Sequence, residues 1–254
     1  MKRIRRGFTL VEVALFLAIT AAVFVGIAVG TQNSIFQQRY NDSVQNFVEF
    51  LRSTYSQVTN VQNNGDGRSN RAIYGKLAVF GEDAEGNNAI TTYNVIGEVG
   101  GFDAGGVLSS LSALGASVFD ENGEPVGWVE NYKPRWASQI QTTEGWGSVK
   151  PNSYELFVGA LLIVRHPSSG TVHTYVFDPE EGAWGNVDDL DKKFDASLLN
   201  DFLKNNFFKS EDVIFCVNPN GADRSNLRRG VKIVKGASNA SGIEVLSDGE
   251  GCDT

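Results

Sequence analysis

The sequence predicts an α+β protein in which one long N-terminal helix packs on a mainly antiparallel β-sheet domain, with the first half of the helix spanning a membrane. Three observations lead to this fold class. Residues 13–30 carry no charge, a stripe of apolar residues with helical spacing follows them, and the rest of the 254-residue chain alternates short apolar runs with turn residues. The composition, 41% hydrophobic and 20% charged, is that of a folded protein and not of a disordered chain.

The N-terminus combines basic residues with this apolar segment. Lys2, Arg3, Arg5 and Arg6 precede it, and no acidic residue comes before Glu12. Because cations that precede a membrane span keep the N-terminus in the cytoplasm, we expect the body of the protein to lie outside the membrane.

Two ordinary devices fit such a segment. A cleaved secretory signal ends in a small-x-small site, and residues 28–30 (Ala-Val-Gly) provide one. A plain membrane anchor needs about 20 apolar residues, and residues 8–29, roughly 33 Å long as a helix, are sufficient. Both interpretations remain open on length and composition.

A third interpretation depends on the carboxylate at the start of the segment. Glu12 inside an apolar helix costs about 2.5–3.5 kcal/mol on insertion scales, and such residues usually have a functional partner. The local sequence places Gly7 before Phe8, then Thr9 and Leu10, and puts Glu12 fifth when Phe8 is counted as the first residue. This arrangement closely resembles the class III leader of type IV prepilins and type II secretion pseudopilins.

The resemblance implies a sequence of events at these residues. A prepilin peptidase would cut the 1–7 leader after Gly7 and the new N-terminal Phe8 would be methylated, with the apolar helix retained. In that family the carboxylate at the position of Glu12 is thought to pair with the terminal amine of a subunit already in the filament. A new α-amino group with a pKa near about 8 is cationic at neutral pH, which suits this pairing.

The segment after the span predicts that the helix continues. Seven apolar residues recur at intervals of three or four, which makes one stripe on a helix; they are Phe36, Tyr40, Val44, Phe47, Leu51, Tyr55 and Val58. No proline occurs before Pro125. We therefore expect one helix over residues 8–60, with residues 8–30 in the membrane or filament core.

Residues 61–254 predict a β-rich globular domain, which the resemblance makes pilin-like. Apolar runs bounded by turn residues indicate strands; they cover residues 90–99, 126–130, 154–165, 171–177, 212–217, 230–234 and 243–246. Turns are expected at 120–123 and 167–170, and helices at 108–114 and 194–208.

The chain contains two cysteines, Cys216 and Cys252. In a chain with an export-like N-terminus they predict a disulfide that staples a C-terminal loop. Two free buried thiols in a reducing compartment are the alternative. A zinc site is disfavoured because His166 and His173 are distant from both cysteines in the sequence.

Other functional classes find little support. The sequence has no P-loop, no G-x-S-x-G, no H-E-x-x-H and no dinucleotide fingerprint, so we expect no enzyme, no catalytic residue and no cofactor. Beyond the basic leader the chain carries 18 basic and 30 acidic residues, which argues against nucleic-acid binding.

Acidic turns at 188–191 and 248–250 match no EF-hand loop, so we predict no metal. The four tryptophans, Trp128, Trp136, Trp146 and Trp184, are expected to pack turns against the sheet rather than to form a sugar-binding patch.

The resemblance therefore implies a structural subunit, either a minor pilin or a pseudopilin. Its partners would be prepilin peptidase, other pilin subunits through helix packing, an inner-membrane assembly machinery, and membrane lipid before assembly. The mature protein would end in an extracellular filament or a secretion pseudopilus. The alternative is a membrane-anchored extracellular binding module or adhesin that does not polymerise.

Overall fold

The computed structural model describes residues 9–60, 71–82, 88–100, 105–120, 124–142, 159–177, 199, 203, 208–218 and 228–252. The chain divides into two compact units, Met1–Asp42 and Ser43–Thr254. The layout is α+β, with one long apolar N-terminal helix and antiparallel sheets, as the sequence predicts.

The N-terminal helix, α1, runs without interruption over Leu10–Thr59. It forms because its first half lacks Pro and any charge after Glu12, while its second half has the periodic apolar stripe. Within the second unit the stripe from Val44 to Val58 is buried, whereas Gln45, Glu49 and Arg52 on the opposite side are exposed. The predicted helix is confirmed to within two residues at the N-terminal end and one at the C-terminal end.

A six-stranded antiparallel sheet forms the centre of the second unit. Its strands are β1 (Arg71–Glu82), β2 (Asn88–Glu98), β3 (Glu130–Tyr132), β5 (Gly159–Arg165), β6 (Val172–Phe177) and β7 (Phe208–Lys209). They lie in the order β3-β2-β1-β5-β6-β7. The first six residues of β5 are all buried, as expected for a central strand that is covered on both faces.

A smaller antiparallel sheet has four strands. They are β4 (Gln139–Thr142), β8 (Val213–Asn218), β9 (Arg229–Ile233) and β10 (Ile243–Asp248), in the order β10-β9-β8-β4. The three late strands predicted from the sequence are therefore β8, β9 and β10.

The two faces of the six-stranded sheet bury different layers. On one face Leu77, Tyr93 and Leu162 lie opposite one another in register and belong to an apolar cluster with Leu111 of a short helix, α2 (Val107–Ala113). The other face, which carries Thr174, packs against the second half of α1.

The smaller sheet meets that same α1-facing side through aromatic rings. Phe215 of β8 stacks on Phe80 of β1 at a centroid distance of 4.9 Å and meets Phe47 of α1 edge-on at 5.6 Å. Phe50 of α1 stacks on Tyr132 of β3 at 4.5 Å. One of the two buried layers of the second unit thus forms where α1 and both sheets converge.

Several local predictions agree with the structure. Strand β2, helix α2 and the β5–β6 hairpin lie within two residues of their predicted bounds, except that residues 154–158 lie outside the described residues. The turn at 120–123 is described only at Asp120, whose amide donates to the Glu124 carbonyl at 2.8 Å. The helix at 194–208 is described at Leu199 and Leu203, both helical and buried, and at Phe208, which instead begins β7.

One predicted strand is misplaced. The sequence predicts a strand over 126–130, but β3 begins at Glu130. Gly127 has a φ of +79°, in the left-handed region that interrupts an extended strand and favours glycine. The apolar residues before β3 therefore belong to a turn.

Candidate functional site

The candidate site is the N-terminal segment at the start of α1. Gly7 and Phe8, the predicted cleavage and methylation residues, lie outside the described residues, so their roles stay predictions. The described chain begins at Thr9, and α1 begins one residue later at Leu10.

Thr9 and Glu12 form a reciprocal cap on the helix. The Glu12 Oε2 atom accepts hydrogen bonds from the Thr9 amide at 2.9 Å and from the Thr9 hydroxyl at 3.0 Å. The Thr9 hydroxyl oxygen in turn accepts a longer bond from the Glu12 amide at 3.3 Å. This is a capping box, in which N-cap and N3 residues satisfy each other's amides. Caps of this kind contribute about 1 kcal/mol to helix stability.

The cap gives Glu12 a partner within its own chain. A carboxylate near a helix N-terminus also complements the positive end of the helix dipole. The T-x-x-E spacing is the sequence signal for this cap, and reasoning from the leader motif alone assigned Thr9 no such role. The predicted pairing of Glu12 with the amine of another subunit stays a prediction.

The side chains that follow form a continuous exposed apolar surface. The large hydrophobic residues there are between 47% and 85% exposed; they are Leu10, Val11, Val13, Leu15, Phe16, Leu17, Ile19, Val23, Phe24, Val25, Ile27, Val29 and Ile35. The helix is long and apolar enough to cross a membrane, and it lies near the N-terminus. A surface of this size is stable only when lipid or protein covers it.

Polar groups inside this surface are satisfied by the helix itself. The Thr20 hydroxyl donates to the Phe16 carbonyl at 2.8 Å, and the Thr31 hydroxyl donates to the Ile27 carbonyl at 3.0 Å. In an apolar medium such internal bonds remove the cost of burying a hydroxyl. In the sequence, Glu12 is the only ionisable side chain between Thr9 and Gly30.

The predicted disulfide is present at the C-terminal end of the body. Cys216, on β8, is bonded to Cys252, and their Cα atoms lie 5.7 Å apart. Both cysteines are buried. The Cys252 amide also donates to the Gly249 carbonyl, so the last described residues are held against the smaller sheet.

The remaining candidate residues do not form a site. His166 accepts two backbone amides through Nδ1 in the β5–β6 turn, and Glu250 accepts from the Ser247 amide at 3.3 Å. Within the described part of the chain no three His, Cys, Asp or Glu residues cluster in a way that suits a metal ion. The acidic turn at 188–191 lies outside the described residues.

The expectation that the tryptophans pack against the sheet is wrong for two of them. Trp128 is 80% exposed and Trp136 is 49% exposed. Trp136 also has a φ of +60° within a 3₁₀ turn, Arg135–Ala137, a strained conformation for a bulky residue. Trp146 and Trp184 lie outside the described residues.

Comparisons with protein-family models, with curated proteins and with solved structures found no match. The geometry itself defines a class of protein: a folded α+β body with its own core that carries an exposed, capped, apolar helix at its N-terminus.

Proposed function

We propose that the protein is a structural subunit, a minor pilin or pseudopilin, of a type IV pilus or a type II secretion-like filament. Prepilin peptidase would cut after Gly7, Phe8 would be methylated, and the subunit would leave the membrane and assemble through α1. The protein acts as a substrate of the peptidase and as a building block, without catalysis of its own.

The observation that carries the proposal is the exposed apolar surface of α1. From Leu10 onward the first half of this helix is exposed along its length, while the second unit buries its own two apolar layers. Lipid covers such a surface before assembly, and copies of the same helix cover it in a filament. A single continuous helix serves both environments because its backbone groups are already hydrogen-bonded.

Glu12 gives the proposal its charge pattern. Cleavage after Gly7 removes the four cations of the leader and creates one new cation, the amine of Phe8. In an apolar filament core, an unpaired carboxylate is costly and a paired one is tolerable. Pairing Glu12 with the amine of a neighbouring subunit would therefore fix the axial position of each incoming subunit.

Two substitutions separate this role of Glu12 from its role in the cap. Glu12→Gln retains the capping geometry, since Gln also serves at N3, but removes the charge. Thr9→Val removes the capping hydroxyl and retains the charge. We expect Glu12→Gln to abolish filaments in cells, by electron microscopy and shear-fraction immunoblot, and Thr9→Val to assemble at close to the wild-type level.

The controls are leader cleavage and membrane level, both measured by immunoblot for each variant. If Glu12→Gln forms filaments normally while Thr9→Val does not, the carboxylate acts through the cap and the pairing is wrong.

A membrane-anchored binding module that does not polymerise is the second candidate. Trp128 favours it, because an indole that is 80% exposed next to the partly exposed Val129 suits ligand binding at a surface. In that case both substitutions leave surface display unchanged, and cysteine cross-linking along α1 detects no ladder of oligomers.

A further inference from the structure

Polar side chains are buried on the α1-facing side of the six-stranded sheet. Lys76 on β1 and Asn94 on β2 lie directly opposite each other in the antiparallel register. On the next strand, β3, Glu130 lies opposite Thr92. Lys76, Asn94 and Thr92 are each less than 9% exposed, so an amine and a carboxamide share an interior location.

The amine of Lys76 is close to the carboxylate of Glu130. The Lys76 Nζ atom lies 3.8 Å from the Glu130 Oε1 atom, and the Lys76 side chain is 9% exposed. Burial lowers the pKa of Lys76, and the nearby Glu130 charge only partly opposes that effect. A lowered pKa makes the neutral, nucleophilic form of the amine easier to reach.

Glu130 is oriented from the other side by α1. The Gln57 side-chain amide donates to both Glu130 oxygens, at 3.0 Å and 3.3 Å. These contacts hold the carboxylate between helix and sheet, next to the amine. A carboxylate in this position is suited to accept a proton from Lys76 and to deliver it to a leaving group.

The carboxamide of Asn94 is held by the turn before β3. Its Nδ2 atom donates long hydrogen bonds to the Val126 carbonyl at 3.4 Å and to the Trp128 carbonyl at 3.5 Å. Gly127 lies between these residues, and a Cβ atom there would come within 2.6 Å of Asn94 Nδ2. The backbone at Gly127 therefore packs directly against the Asn94 carboxamide.

We propose that Lys76 and Asn94 condense to an intramolecular isopeptide bond that ties β1 to β2, with Glu130 as the proton carrier. Glu130 takes a proton from the Lys76 ammonium, and the neutral Nζ attacks Cγ of Asn94. The new Nζ–Cγ bond forms as the Cγ–Nδ2 bond breaks, and the proton on Glu130 passes to Nδ2. Glu130 then takes the second proton that Nζ must lose to become an amide N–H and passes it to the departing ammonia, which leaves as ammonium. The exchange of one amide for another needs no oxidant, reductant or external reagent.

The reach of the lysine side chain suits this reaction. Directly opposed residues on antiparallel strands have Cβ atoms about 4.5–5.5 Å apart. The flexible four-carbon stem of lysine therefore allows Nζ to move between Glu130 and Cγ of Asn94. Thr92 supplies a buried hydroxyl oxygen on the same face, and it has no hydrogen-bond partner among the described residues, so it is available to accept from the new amide N–H.

The test is a tryptic peptide map of the full chain, purified from membranes in detergent. Trypsin cuts after Arg71, after an unmodified Lys76 and after Arg135, but not between Lys76 and Leu77 when the lysine is acylated. The proposal predicts one peptide, residues 72–135, that is lighter by the mass of ammonia, about 17 Da. Tandem spectra should lack backbone fragments between residues 76 and 94. Neither cysteine lies in this peptide, so the disulfide does not affect its mass.

Matched variants decide the chemistry. Glu130→Gln preserves the size of the side chain and removes the proton carrier, so it should yield separate, unmodified peptides 72–76 and 77–135. Asn94→Ala should do the same. Lys76→Met removes the trypsin site after residue 76, so it should give one peptide, residues 72–135, without the loss of ammonia. The proposal is overturned if wild-type protein gives the two separate peptides, or if the loss of ammonia persists in Lys76→Met, which would indicate a succinimide at Asn94. Joined peptides in Glu130→Gln would remove Glu130 from the mechanism.

Discussion

Two buried hydroxyl groups connect α1 to β6 and to the segment between β9 and β10, and they allow a quantitative test of the fold. Tyr55 Oη on α1 lies 2.7 Å from Thr174 Oγ1 on β6, and Thr174 Oγ1 donates to the Ala237 carbonyl at 2.6 Å. Since the threonine has one hydroxyl proton, which goes to Ala237, the tyrosine must be the donor in the first bond. Tyr55 and Thr174 are 1% and 4% exposed, so water does not replace a lost partner.

The two hydroxyl groups differ in which buried partners lose a hydrogen bond when each group is removed. Tyr55→Phe removes a donor and leaves Thr174 bonded to Ala237, at a cost of about 1 kcal/mol. Thr174→Val removes both bonds and leaves the Tyr55 hydroxyl and the Ala237 carbonyl without partners, at a cost of about 2–4 kcal/mol. The double variant should be less destabilised than the sum, by about 1 kcal/mol, since phenylalanine removes the buried hydroxyl that Thr174→Val leaves unpaired.

The assay is thermal or chemical unfolding of the full chain in detergent, followed by near-UV circular dichroism, which reports the aromatic core. For a chain of this size each kcal/mol corresponds to roughly 2–4 °C in Tm. We expect Thr174→Val to lower the Tm more than Tyr55→Phe does. Equal losses, strict additivity, or a larger loss for Tyr55→Phe would refute the hydrogen-bond direction and the burial argument.

Three further perturbations test other parts of the structure. Burial raises the pKa of Tyr55 to about 12. Between about pH 10 and pH 12 the unfolded state loses the tyrosine proton while the folded state retains it. The contribution of neutral Tyr55 to the free energy of unfolding is therefore fully present below about pH 10 and is lost as the pH rises through about 12. Tyr55→Phe should flatten this alkaline loss in a pH series of unfolding curves, and an unchanged series would contradict it. Gly75→Ala should prevent folding or lower the Tm strongly, since its Cβ would lie 2.2 Å from the Ile163 carbonyl oxygen, whereas Gly30→Ala, with nothing within 4 Å, should stabilise α1 by about 1 kcal/mol. Far-UV circular dichroism distinguishes the two, and a benign Gly75→Ala would overturn the β1–β5 packing. Removing the disulfide with Cys216→Ser and Cys252→Ser should cost about 3–4 kcal/mol in the chain-entropy model, and an unchanged denaturation midpoint would show that the loop is held by other contacts.

The parts of the fold that were readable from the sequence depend on local patterns. The apolar stripe of α1 repeats with helical spacing, and the β5–β6 hairpin is marked by a turn at 167–170. Because the chain contains two cysteines, Cys216 had no other possible disulfide partner than Cys252. In each case the signal lies in adjacent residues or in a count.

The parts that were missed depend on contacts between distant residues. Strand β1 was not predicted because it matches neither sequence pattern that indicates a strand. Apolar residues lie on both of its faces, so apolar and polar residues do not alternate, and Lys76 interrupts what would otherwise be a continuous apolar run. Strand β4 is short and contains two glutamines, and its pairing with β8 alone makes it a strand. No local pattern in the sequence encodes which strands pair, so the division of the strands into two sheets was not predicted.

The candidate sites show the same contrast. The Thr9–Glu12 cap spans four residues and carries a readable spacing. The Lys76–Glu130 pair joins residues 54 positions apart and depends on the register of three strands. A cap within one helical turn is therefore readable from a single sequence, whereas contacts assembled across a sheet require the structure.

The most direct test of the proposed function is the N-terminal sequence and mass of the protein recovered from its own cells. The account predicts a chain that begins at an N-methylated Phe8, with residues 1–7 removed and α1 retained. A chain that begins at Thr31 would contradict it and indicate a secreted protein without the helix. An intact Met1 would contradict it as well and indicate a plain membrane anchor.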